Sequence, residues 1–182
     1  MLPRRHVLLV GFMGSGKSSV GRALASRFEA PFVDLDERIS AEAGRSISEI
    51  FAEEGEAAFR DRESRALDAL GGEPPSVVAC GGGIVTRERN RERLARLGTV
   101  VYLEVAADDA VRRCGPDAGR PVLRERTPEE VEALLRERSP LYDEVADVRV
   151  DTTGLTVSDV AERVVKALQD LTAPTTDTEE SA

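Results

Sequence analysis

The chain has 182 residues, 25 basic and 34 acidic side chains, a net charge of −9, and 41% hydrophobic but only 4% aromatic residues. That length suits one domain with a real core, and the acidity argues against a nonspecific binder of nucleic acid or an anionic membrane, which would rest on a basic surface. An anionic small molecule is not excluded, because a few placed arginines can hold one inside an acidic protein.

Taken in chain order, Arg4 and Arg5 precede an apolar run at 7–10. The run is too short for the core of a secretory signal and leads into a glycine-rich turn. Continuous apolar runs of this kind mark strands covered on both faces, and others follow at 31–34, 77–80, 99–104 and 145–151. Helical spacing fills the intervals. Residues 17–28 carry Val20, Ala23, Leu24 and Phe28 on one face, and 46–52 opens with the Ser46/Glu49 capping box. Further helices are expected over 56–70, 88–97 and 157–171, and another starts at Thr127 with Pro128 in its first turn and Glu130 at the third position. Strands alternating with helices predict a three-layer α/β/α fold with a five-stranded parallel sheet. Residues 115–126 contain two Gly, two Pro and three Arg without periodicity and read as a mobile lid. The Thr/Glu-rich stretch 172–182 reads as a disordered tail after a single domain over 1–171.

Cys80 and Cys114 form no C-x-x-C pair, and the lone histidine leaves little material for zinc. Both thiols fit a reducing compartment. No stretch approaches the ~18 apolar residues of a membrane span. A cytoplasmic protein is expected.

The most specific signal is residues 11–18, GFMGSGKS, which fits G-x-x-x-x-G-K-[ST] between a strand and a helix. Successive N–H groups and the helix N-terminus supply positive potential for phosphates. Lys17 can reach the β- and γ-phosphates, and Ser18 can ligate Mg²⁺. The chain is therefore expected to bind a nucleoside triphosphate through Gly14, Ser15, Gly16, Lys17, Ser18 and Ser19. Neither of the two lysines lies in the Asn-Lys-x-Asp that would read guanine, so a GTPase is disfavoured. A small kinase would add an acceptor pocket and a movable cation that excludes water.

Asp34 and Asp36 end the second strand, where ligands bind in α/β sheets, although spacing alone also makes Asp36 a candidate N-cap for a following helix. Gly81, Gly82 and Gly83 after the third strand permit close backbone approach to a ligand. Arg60 on its own reads as a solvated charge. Arg138, closing a helix before Pro140, is ambiguous, and Arg120 in the lid could swing onto a transferring phosphate.

Together, the phosphate loop, the Asp34-x-Asp36 pair, Phe59-Arg60-x-x-Glu63, the glycines at 81–83, Arg120-Pro121-x-Leu123 and Arg138-x-Pro140-Leu141-Tyr142 resemble the shikimate kinase family over residues from about 6 to about 170. The resemblance implies ATP-dependent phosphorylation of the 3-hydroxyl of shikimate, with Mg²⁺, by a monomer. It implies that Asp36 holds the ring hydroxyls and assists deprotonation, and that Arg60 and Arg138 clamp the carboxylate. Gly82 would donate its backbone N–H, with Gly81 and Gly83 shaping the turn. Ser18 would ligate Mg²⁺ directly and Asp34 through water, while Lys17 and Arg120 offset charge on the γ-phosphoryl group. Beside the adenine, Leu155 stands where the family often carries a long polar or basic residue, and Arg113 is the better candidate to lie along the ring, unless it is merely a surface arginine. Rival readings are a gluconate kinase, a nucleoside monophosphate kinase and a non-catalytic nucleotide sensor.

Overall fold

The computed structural model describes residues 4–114 and 127–172. Its elements in chain order are β1 (His6–Val10), α1 (Lys17–Phe28), β2 (Phe32–Asp34), α2 (Leu35–Ala43), α3 (Ile47–Ala69), β3 (Val77–Ala79), α4 (Glu88–Leu97), β4 (Gly98–Glu104), α5 (Ala107–Cys114), α6 (Pro128–Val145), β5 (Val148–Asp151) and α7 (Val157–Thr172). The expected lid at 115–126, with Arg120, and residues 173–182 of the expected tail lie outside the described residues. Thr172, assigned to that tail by composition, closes α7.

The strands form one parallel sheet in the order β2-β3-β1-β4-β5. The unbroken apolar run of β1 is explained by its central place. Leu8 and Val10 pack on one face with Leu67 of α3 and Leu94 of α4, while Val7 and Leu9 pack on the other with Val20 and Leu24 of α1 and Val160 and Val164 of α7. Each such fully buried side chain stabilises the fold by roughly 1.5–3 kcal/mol. This is the predicted three-layer arrangement. Because β3 and β4 flank β1 on opposite sides, the sheet opens a crevice at the C-terminal ends of these strands, and the loop at 11–18 leaves β1 into it.

Several boundaries differ from the sequence reading for physical reasons. The helix for which Asp36 was a candidate cap, α2, starts directly after β2 because the Asp34 side chain accepts from the N–H groups of Asp36 and Glu37. The N-cap that spacing offered to Asp36 therefore belongs to Asp34. The helices expected over 46–52 and 56–70 abut as α3, divided at Gly55, whose φ of 81° and ψ of 171° break the helical path. Both expected caps form, at Ser46 with Glu49 and at Thr127 with Glu130. Arg138 does not close its helix. Pro140 sits inside α6, which continues to Val145, so β5 begins at Val148 rather than at 145. Buried Tyr142 stacks on Tyr102 of β4 at 5.1 Å, and such packing of the last turns carries the helix past the proline.

Candidate functional site

The phosphate loop holds its own cation in reserve. Lys17, only 6% exposed, donates from Nζ to the carbonyls of Gly11 (2.9 Å) and Phe12 (2.8 Å) and to Ser15 Oγ (3.4 Å). Ser18 Oγ donates to Asp34 Oδ2 at 2.6 Å, while Asp34 Oδ1 accepts from Asp36 N–H at 3.0 Å. One carboxylate thus both caps α2 and faces the loop hydroxyl. Asp36, in the first turn of α2, also reaches the cleft. That cleft, of about 300 Å³, is lined by Gly14, Gly16, Lys17, Ser18, Ser19, Asp34, Asp36, Cys80, Gly82 and Arg113. Burial pushes the Cys80 thiol well above its usual range, which leaves it a protonated, non-nucleophilic wall.

Behind Gly82, two arginines are buried. Arg60 donates from Nη1 to Glu63 Oε2 at 2.5 Å and from Nη2 to Glu56 Oε1 at 2.9 Å. Burial alone would lower its pKa, but the charges and hydrogen bonds of Glu63 and Glu56 carry it above the ordinary value. A Cβ on Gly83 would stand 2.1 Å from Arg60 Nη1, so only glycine lets this guanidinium lie against the backbone. A Cβ on Gly81 would meet Glu63 Oε1 at 2.4 Å and Asp36 Oδ1 at 2.8 Å. The two carboxyls therefore approach across that glycine. Burial pushes the Glu63 carboxyl up to about 7 against the pull of Arg60, and the neighbouring Asp36 charge adds to the rise.

Arg138 is 6% exposed, and among the described residues no carboxylate pairs with it. Its Nη1 donates to the Gly82 carbonyl at 3.5 Å, and its Nε is buried without a hydrogen-bond partner. A buried cation in that condition is costly until an anion neutralises it.

A family model described as shikimate kinase matches residues 13–169. The chain belongs to the shikimate kinase family. It is 49% identical over 165 residues to a shikimate kinase of Halorhodospira halophila, covering 90% of this chain and 93% of that one. A shikimate kinase of Vibrio parahaemolyticus is 44% identical over 171 residues, 93% and 99% of the two chains. Among solved structures, the shikimate kinase of Acinetobacter baumannii in complex with shikimate superposes with a TM-score of 0.89 at 36% identity, covering 96% of this chain and 97% of that one.

For a shikimate kinase chain, most of the residues singled out by sequence converge. Gly14, Gly16, Lys17, Ser18, Ser19, Asp34, Asp36, Gly82 and Arg113 share the cleft. Ser15 is buried beneath the loop, holding Lys17. Arg60, Gly81, Gly83 and Arg138 do not line the cleft itself but join it through Gly82, Glu63 and Asp36. The solvated reading of Arg60 is thereby overturned. Arg113 is also more than a surface charge. It donates from Nη1 to Thr152 Oγ1 (3.1 Å) and the Gly14 carbonyl (3.4 Å), and from Nη2 to the Thr152 carbonyl (3.0 Å). Leu155, by contrast, packs on the core face that holds α1 and α7 and does not line the cleft.

Three contributors had no role assigned by sequence. Glu63 fixes Arg60, Tyr142 donates to the Gly82 carbonyl at 2.5 Å, and buried Thr152 seats Arg113 while donating to the Glu104 carbonyl at 2.8 Å. The placement of Glu63 three residues after Arg60, and of Tyr142 four after Arg138, was the available signal.

Proposed function

We propose that this chain transfers the γ-phosphoryl group of ATP to the 3-hydroxyl of shikimate, giving ADP and shikimate 3-phosphate. The observation that carries the reading is Arg138: a buried guanidinium without a carboxylate partner among the described residues, one peptide away from a phosphate-loop cleft. A carboxylate on the acceptor supplies the missing charge, and planar guanidinium groups match it bidentately. Arg60 joins the clamp, with Glu63 holding its orientation. Gly82 offers its N–H, because the Gly81 carbonyl of the same peptide is turned to the Ile84 N–H at 3.1 Å.

In the reaction, the acceptor oxygen bonds to the γ-phosphorus while the bond to the β,γ-bridging oxygen breaks, and the hydroxyl proton passes to Asp36. The phosphoryl transition state is loose, so positioning and electrostatics dominate. Lys17 leaves the loop carbonyls for the β- and γ-phosphates. Arg120 would add a second cation, a role resting on the family resemblance alone. Magnesium fits the donor set: Ser18 Oγ and Asp34 Oδ2 are hard oxygens in mutual contact. Among the described residues no cluster of three His, Cys, Asp or Glu could hold a metal alone, and Mg²⁺ is commonly held by one or two protein ligands plus phosphates and water. Ser18 would ligate it directly and Asp34 through water, and the bound ion would neutralise phosphate charge. Arg113, seated between Gly14 and Thr152, lies along the adenine, with Leu155 at most at its edge.

Residues 1–171 are inferred to act as one kinase domain, monomeric and cytoplasmic, without nucleic-acid or membrane partners. The net charge of −9 disfavours nucleic-acid and anionic-membrane partners, and among the described residues no helix is long and apolar enough to cross a membrane. A coupled ADP-release assay with shikimate, gluconate and nucleoside monophosphates tests the activity. Acceptor-dependent ADP with shikimate alone is expected. Turnover confined to the other acceptors overturns the reading, and no acceptor-dependent release from any of them turns it to a nucleotide sensor.

A further inference from the structure

The three glycines at 81–83 have their carbonyls held in two different ways. Gly81 O accepts from the Ile84 N–H at 3.1 Å, and Gly83 O accepts from the Thr86 N–H at 3.0 Å and Thr86 Oγ1 at 2.8 Å. Both are local turn bonds. Gly82 O is held from α6, by Tyr142 Oη at 2.5 Å and by Arg138 Nη1 at 3.5 Å. Tyr142 and Arg138 stand one helical turn apart and are both buried. They therefore share a single acceptor, in the middle of the segment that faces the phosphate loop: a Cβ on Gly82 would stand 3.5 Å from Met13 N and 3.6 Å from Gly11 O.

We propose that Tyr142 is a positioning residue for acceptor binding, whose hydroxyl keeps the Gly82 carbonyl satisfied so that Arg138 is free to turn to the acceptor's carboxylate. The proposal rests on the function inferred above. The Gly82 carbonyl is half-buried, and a carbonyl so placed resists losing its donor. With Tyr142 in place, the long bond from Arg138 to the carbonyl is expendable, and the guanidinium, which also lies against the Tyr142 hydroxyl, reaches an anion without leaving the Gly82 carbonyl unpaired. Without the hydroxyl, Arg138 is the sole donor to the Gly82 carbonyl among the described residues, and every acceptor molecule must compete with a main-chain carbonyl for it. The ring of Tyr142, stacked on Tyr102 at 5.1 Å, supplies core packing that phenylalanine would keep, so the two roles of this residue are separable.

The test is Tyr142→Phe, assayed for the KM of shikimate and of ATP separately and for kcat, alone and combined with Arg138→Ala. The expected result is a rise of about tenfold in the shikimate KM, the effect of losing one part-buried hydrogen-bond partner. The ATP KM, kcat and the thermal midpoint should stay close to wild type. In the Arg138→Ala background the same substitution should change the shikimate KM less than twofold, because the competing guanidinium is gone. An unchanged shikimate KM in the single variant, or full additivity in the double, overturns the proposal. Loss of ATP binding or of a cooperative melt assigns Tyr142 to the core alone and overturns it equally. If wild-type protein gives no ADP with shikimate, the functional reading fails first, and the proposal with it.

Discussion

Glu63 offers the sharpest prediction, because a carboxyl only 1% exposed is held near neutrality in the folded chain. Its pKa rises from 4.5 to about 7, with burial as the main cause and Arg60 only partly opposing it. The folded-state value is raised, so the native state keeps this proton over a range in which the unfolded chain has released it. The associated stability is fully present below about pH 4.5 and is lost as pH rises through about 7. At 1.36 kcal/mol per pKa unit, the difference is about 3 kcal/mol. Glu63→Gln has nearly the same shape, keeps an acceptor for Arg60 Nη1 and cannot ionise. It also places an amide donor where Oε1 is buried with no hydrogen-bond partner. The variant should match wild type near pH 4 and exceed it at pH 8 by about 3 kcal/mol, or roughly 6–12 °C in Tm. Paired melting curves from pH 4 to 9 measure this, since every other titrating group is common to both proteins. Parallel curves across that range, with no widening gap, would refute the assignment of a raised pKa and of a desolvated carboxyl behind it.

Asp36→Asn should lower kcat by about 10²–10⁴-fold, the usual contribution of a positioned proton acceptor, while ATP binding measured by titration persists. Arg138→Ala should raise the shikimate KM about 10²-fold through loss of charge-assisted hydrogen bonds, with the ATP KM unmoved; a constant shikimate KM removes Arg138 from the clamp. Gly83→Ala is compatible with the backbone, which has φ −98° and ψ 1° there, but its Cβ would stand 2.1 Å from Arg60 Nη1. The guanidinium must swing away, so shikimate steady-state kinetics should show a KM increase of about tenfold with stability held within about 1 kcal/mol.

What the sequence made legible and what it concealed divide along the range of the interactions. The phosphate loop is local: strand, turn and helix lie within residues 6–28, and each glycine acts on its neighbours, so spacing alone reveals it. The Asp34-x-Asp36 pair was legible as chemistry but not as geometry, because a cap formed by Asp34 starts α2 immediately and moves Asp36 off the strand. Pro140 misled for the opposite reason. Its local veto on helix is overridden by Tyr142 packing on Tyr102 from a distant strand. The arginines were the least legible. A guanidinium's burial depends on which segments fold over it, and Gly83 lies 23 positions from Arg60 in the chain but 2.1 Å from it at Cβ.

Net charge concealed the site for a related reason. The total of −9 counts every ionised side chain equally, whereas a ligand responds mainly to charges that water does not screen. Lys17, Arg60 and Arg138 are all buried, while several carboxylates of the described residues lie in exposed pairs such as Arg136 with Glu132 and Arg27 with Glu162. Exposed pairs of that kind contribute about 0–1 kcal/mol each and little field at the cleft. The raised pKa of Glu63 completes the arrangement: near pH 7 one of the few buried acids gives up part of its negative charge, and the interior at the acceptor end is more cationic than a count of residues allows. An acidic protein can therefore hold a basic pocket, provided that its cations are buried and the buried acid beside them, here Glu63, is kept partly protonated.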